Sequence, residues 1–205
     1  MNVVIAGKRR PVRPDSLHVV RGQKTRRRIL DAARASILRE GYENLRLDAL
    51  AREAGVTKAA VVKSVGGKAA ILLALGDEDR QERVQVIRDA MPLRTGLRRR
   101  IADAIRRMLT IDSVKLNVVI PYIGHMWFWT GAEHDRAQAM LDETRVLVRD
   151  LILAASRPPP TAAVADMLAL RVMSGYSVAL RDLHYRRGSI DDAVRLVTEH
   201  ALGEG

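Results

Sequence analysis

Apolar residues in this chain recur three and four positions apart in one stretch after another, and no stretch alternates apolar with polar residues over the length of a strand. That periodicity restricts the chain to helices packed on helices, so the expected class is all-α. Ile29, Ala33 and Ile37, with Leu30 and Leu38, form the first stripe, opening near Thr25 and closed by Gly41 as a C-cap. Leu47, Leu50, Ala51 and Ala54 repeat as far as Gly55, and Thr57 caps a short third helix through Val61 and Val65. Lys68 starts a long amphipathic stretch to about Ala90, and Leu97, Ile101, Ile105, Met108 and Leu109 mark another between Arg94 and Asp112. Val118 to Trp129 is apolar almost all round, which predicts a buried helix kinked at Pro121 and continued in amphipathic form through Leu141, Val148 and Ile152. Pro158, Pro159 and Pro160 break the helical run before two last helices, Ala163 to Arg186 and Ile190 to Leu202.

Charge is distributed unevenly along these helices. Of the net charge of +11, residues 1–68 carry 16 Lys/Arg against 6 Asp/Glu, net +10, while residues 69–205 carry 19 against 18, net +1. Clustered cations attract phosphates without regard to sequence, so the leading third is expected to bind a polyanion. Within it, residues 1–24 hold six Lys/Arg against Asp15, with Pro11 and Pro14 and no helical period, which predicts a flexible basic arm.

Other classes fall away. The chain has no cysteine, which excludes disulfides, thiolate zinc sites and a cysteine nucleophile. No HExxH-like pair, nucleophile elbow or phosphate-cradling glycine loop appears, so neither an enzyme nor a metal or cofactor site is expected. No apolar run approaches the ~18 to 20 residues of a membrane span. Met1 to Arg10 runs apolar and then basic, the reverse of a secretory signal, so the expectation is a cytoplasmic protein without a membrane partner.

Two short helices meeting at Gly55-Val56-Thr57 meet the demands of a helix-turn-helix: Ala51 where the helices cross closely, Gly55 in the turn, Val56 and Val61 beneath. A second helix presented in this way enters the ~12 Å major groove while the first crosses the backbone. Over Thr25 to Leu75, from the helix-opening Thr25 through Gly41-Tyr42 to the Ala54-Gly55-Val56-Thr57-Lys58 turn and the closing Lys68, the chain resembles the tetracycline-repressor (TetR) family of bacterial regulators. Beyond Leu75 the likeness is in helix number and character. The resemblance implies a homodimeric repressor on palindromic double-stranded DNA, with a DNA-binding domain at 25–68 and a ligand-binding and dimerisation domain at 69–205 that senses a small-molecule effector. An alternative is a helical ligand-binding or protein-interaction module without sequence-specific DNA binding. It is motivated by Val62 and Ser64, which stand where the family commonly has aromatic residues or histidine; Ile37 likewise replaces a common phenylalanine, and Arg46 a capping Ser or Thr.

Candidate DNA contacts follow from this placement. Thr25, Arg26, Arg27 and Arg28 are expected in the first turn of the first helix, where their charges oppose the positive helix end until phosphate relieves them. Lys58, Ala59, Ala60, Lys63 and Ser64 are expected to face the groove, and Thr57 and Lys68 to meet phosphates. Candidate ligand-binding residues are Tyr122, His125, Met126, Trp129, Met140, Met173 and Tyr176, since aromatic rings with polar tips and adaptable methionines line many pockets; the same residues suit an ordinary core. Tyr122, His125 and Trp129, at steps of three and four, are expected on one helical face. Leu168, Val172, Gly175, Ala179 and Leu183, with Val194, Val197 and Ala201, form stripes suited to a four-helix dimer interface or to packing within one chain.

Overall fold

The computed structural model describes residues 17–203, and among these the chain is helical throughout, without strands. The helices are α1 (Leu17–Glu40), α2 (Leu47–Glu53), α3 (Lys58–Val65), α4 (Lys68–Ala90), α5 (Leu97–Ser113), α6 (Leu116–His125), α7 (Gly131–Ala155), α8 (Ala162–Arg186) and α9 (Ile190–Leu202). A short 3-10 turn, Tyr42–Asn44, follows α1. The all-α class and the helix order agree with the periodicity.

Two apolar clusters organise the molecule. The first joins Ile29, Ala33 and Ile37 of α1 to Leu50, Val61 and Val65 of the helix-turn-helix and to Ile71, Leu72 and Leu75 of α4, then runs on without interruption to Val118, Tyr122, Trp129 and Met140. The second packs α5, α8 and α9 against the later parts of α4 and α7, through Ile101, Ile105, Leu109, Ile152, Val172, Ala179 and Val197. α4 belongs to both, so its first two turns are part of the leading three-helix unit and its last two part of the trailing bundle.

Three expectations are corrected. Helix α1 begins at Leu17, so residues 17–24 are helical, while the rest of the expected arm, residues 1–16, lies outside the described residues. Positions 20–24 are all exposed, so they present no apolar stripe from which a helix could be read. The helix around Pro121 stops at His125, and the chain turns through Phe128 N–H to the His125 carbonyl before Gly131, at a φ of 60°, restarts it as α7. Trp127 and Phe128, expected in a buried helix, are therefore 86% and 80% exposed. Of the two settings open to the stripes of α8 and α9, packing within one chain is the one seen: Val172, Gly175, Ala179, Val194, Val197 and Ala201 are buried where α8 meets α9. Gly175 allows this closeness: a Cβ built on it lies 3.4 Å from Val197 Cα.

Helix α8 is long and apolar enough, by length and composition, to cross a membrane. One face of it is instead committed to the second cluster, and Tyr176 on that face donates a hydrogen bond to Asp112 at 2.8 Å. Burial, reinforced by the Asp112 charge, holds the Tyr176 phenol well above its ordinary value of about 10. A phenol that is harder to ionise when folded contributes stability in full below about pH 10 and loses it as pH rises, because only the unfolded chain then releases the proton. Tyr176→Phe is thus expected to flatten the fall in unfolding free energy above about pH 10, with denaturant titrations at several alkaline pH values as the measurement.

Candidate nucleic-acid interface

The helix-turn-helix is built from short-range signals. Gly55, at a φ of 63°, turns the chain between α2 and α3, and Thr57 Oγ1 accepts the Ala60 N–H at 3.1 Å as the N-cap of α3. Val61 and Val65 fix α3 into the first cluster, which turns Lys58, Ala59, Val62 and Lys63 outward. Ala60 and Ser64 lie half-buried on the flank facing α1. Lys63 makes no ion pair among the described residues, whereas Lys58 Nζ stands 3.9 Å from Asp48 of α2.

The arginine triplet is placed differently from expectation. Because α1 begins at Leu17, Arg26, Arg27 and Arg28 lie in its interior and do not oppose the helix end. Arg26 donates to the Ser64 carbonyl at 2.9 Å, satisfying one of the acceptors that a helix leaves free at its C-terminus. It therefore ties α3 to α1. Arg27 pairs with Asp31 at 2.9 Å and Glu78 at 3.4 Å. Arg28 is exposed and without an ion pair among the described residues, and Thr25 is half-buried beside α3. The earlier helix start also brings Arg21 to one wall of a cleft of about 530 Å³, with Lys63 and Ser64 on the other. Sequence reading placed Arg21 in the arm and missed this juxtaposition. Lys68 donates to the Glu43 carbonyl at 2.8 Å and lies 4.6 Å above the Tyr42 ring, fastening the start of α4 to the turn after α1.

The head is joined to the body by polar contacts as well as by the first cluster. Arg34 of α1 donates to Asp79 at 2.9 Å and to Glu78 at 3.1 Å, both on α4. Lys115, at the start of α6, reaches Asp79 at 3.0 Å and Glu82 at 2.7 Å, so the buried Asp79 holds α1, α4 and α6 together. Burial opposes the Arg34 charge, but Asp79 and Glu78 outweigh it and raise its pKa. Asn117 Nδ2 adds a bond to the Leu38 carbonyl at 3.1 Å.

The candidate ligand residues divide among three places. Tyr122, Met126, Trp129 and Met140 meet in the first cluster, with Tyr122 O–H donating to Met140 Sδ at 3.8 Å and the Tyr122 and Trp129 ring centroids 5.9 Å apart. His125 turns away from them, edge-on to Tyr42 at 5.0 Å and 3.4 Å from Glu43, because the helix ends at His125 and Trp129 returns through the turn. Tyr176 lies in the second cluster against Asp112, and Met173 is half-buried on α8. Among the described residues no group of three or more His, Cys, Asp or Glu is placed to hold a metal.

Residues 29–75, from the core of α1 through the helix-turn-helix to the first turns of α4, match the family described as bacterial regulatory proteins, tetR family. Residues 29–75 are therefore a domain of the tetR family of bacterial regulatory proteins. Among solved structures, the fold is similar to FadR from Bacillus subtilis, determined in complex with stearoyl-CoA, with a TM-score of 0.70 and 12% identity over 87% of this chain and 99% of that one. It is also similar to PfmR from Thermus thermophilus, at a TM-score of 0.64 and 15% identity over 86% and 98% of the two chains. A TetR-like regulator from Rhodococcus sp. RHA1 aligns at 0.61 and 17% identity over 86% and 93%. No curated protein matches the sequence. At these identities the solved structures speak for the TetR fold along the chain, and residues 29–75 carry the family assignment.

Proposed function

We propose that this chain is a TetR-family regulator, a homodimeric repressor that holds a palindromic DNA operator through α3 and is released from it by a small-molecule effector. The observation that carries the reading is the outward face of α3, where Lys63 stands unpaired among the described residues beside the cleft shared with Arg21. Pairing of two copies is assigned to the face of α8 opposite the one buried against α9. Val164, Met167, Leu170, Val178 and Tyr185 are exposed there at helical spacing. Two α3 helices related by a twofold axis then reach successive turns of the groove, ~34 to 36 Å apart.

Release is assigned to α4. A Cβ placed on Gly76 would lie 2.1 Å from the Tyr122 ring, so the ring rests directly on the α4 backbone. An effector that displaces Tyr122 from Trp129 and Met140 must change how α6 sits on α4, and α4 begins inside the DNA-binding domain. The ligand shifts the equilibrium by its differential affinity for the two arrangements. That the Bacillus subtilis neighbour binds stearoyl-CoA supports an effector with a large apolar portion.

Sedimentation and DNA titration of the full chain test the reading together. The wild type is expected to sediment as a dimer and to bind its own promoter region with a steep negative dependence of log affinity on log salt. Leu170→Glu, on the exposed face of α8, is expected to give a folded monomer that binds this DNA at least about tenfold more weakly. A monomeric wild type, or a salt-independent affinity, would refute it.

A further inference from the structure

The exposed face of α3 is unusual for a surface that reads bases. Its sequence, Lys58-Ala59-Ala60-Val61-Val62-Lys63-Ser64-Val65, contains no Arg, Asn or Gln, so of the side chains that grip guanine or adenine with two hydrogen bonds it holds only the two lysines. It contains no acid to accept from cytosine. What it turns outward between its two lysines is methyl surface: Ala59 is exposed, and Val62, three residues on and hence adjacent, is 49% exposed.

We propose that α3 recognises thymine through its 5-methyl group, with Ala59 and Val62 as the contacting side chains. The proposal rests on the DNA-binding reading above and adds to it the feature of the bases that is read. Thymine alone among the four bases presents a methyl group in the major groove, and apolar side chains are its natural partners there. Charge supplies the complement: Lys58 and Lys63 flank the methyl surface, and no acidic residue lies on α3, so the face attracts duplex DNA while its centre excludes water. Valine is also suited to the task, because one χ1 rotamer dominates in a helix and its two methyl groups are already set in place before binding. The lysines remain available as donors to guanine or phosphate and set position along the groove.

The test begins with selection of bound duplexes from a random library by the full chain, followed by replacement of each enriched thymine by deoxyuridine. This exchange removes the methyl group and leaves every hydrogen-bonding atom in place. Thymine is expected within each half-site, and uracil at the contacted positions is expected to weaken binding about three- to fivefold per methyl group, the worth of one buried methyl. The salt dependence is expected to stay unchanged. Val62→Ala should remove the difference between thymine and uracil at one position of each half-site while leaving it at the other. An enriched half-site whose uracil forms bind as well as the thymine forms would overturn the methyl assignment and leave DNA binding intact. Selection that enriches no sequence would overturn both.

Discussion

Replacing Asp112 with alanine is expected to lower the free energy of unfolding by about 3 to 5 kcal/mol. Asp112 is fully buried and receives Arg83 at 2.9 and 3.0 Å together with the Tyr176 hydroxyl at 2.8 Å, so α4, α5 and α8 meet on one carboxylate. Removal leaves the Arg83 guanidinium, 12% exposed, without its counter-ion and the buried Tyr176 hydroxyl without an acceptor. The loss comes from the unpaired charge and not from the net worth of the pair, since a buried ion pair is offset by the desolvation of both partners. The double substitution Arg83→Met with Asp112→Leu is therefore expected to be less destabilising than Asp112→Ala alone. Denaturant unfolding of the three proteins is the measurement, and a double variant as unstable as the single one would sink the explanation.

Charge reversal at Lys63 is expected to have the largest effect on DNA binding with the least effect on the fold. The side chain is exposed on the last turn of α3 and has no ion pair among the described residues, so Lys63→Glu removes no described ion pair, and its effect on the helix end is about 1 kcal/mol or less. On DNA the same change turns one attraction into a repulsion. Affinity near ~0.1 M salt is expected to fall on the order of 100-fold, with a shallower salt slope by about one phosphate per copy. Lys63→Gln should fall between the two. Fluorescence anisotropy across salt, with thermal unfolding as a control, measures both effects; unchanged affinity would mean that α3 does not face the duplex.

Much of the helix-turn-helix was legible because its signals are local. Gly55 at a positive φ, the Thr57 cap and the spacing of Leu50, Ala51, Val61 and Val65 act over a few residues each, and the structure has each of them as the pattern implies. Arg21 was not legible, since positions 20–24 of α1 are all exposed and leave no periodic mark. Nor could the pattern show that Arg26 holds the Ser64 carbonyl, a bond between residues 38 positions apart.

What the amino-acid order determined by itself is the all-α class, most of the helix limits, the concentration of charge in the leading third and the presence of a helix-turn-helix. Each depends on propensity, capping or period over one or two turns. Which face of a helix finds which neighbour was decided by the tertiary structure alone. The small residues of α8, Gly175 and Ala179, fit a second chain or α9 equally well by spacing, and only the packing assigned them to α9 and left Val164, Leu170 and Val178 outside. In the same way Asp79 became the tie between head and body because Arg34 and Lys115, far apart along the chain, converge on it. Period sets which residues share a face; long-range contacts choose the partner, because burial rewards an apolar surface whichever one it meets.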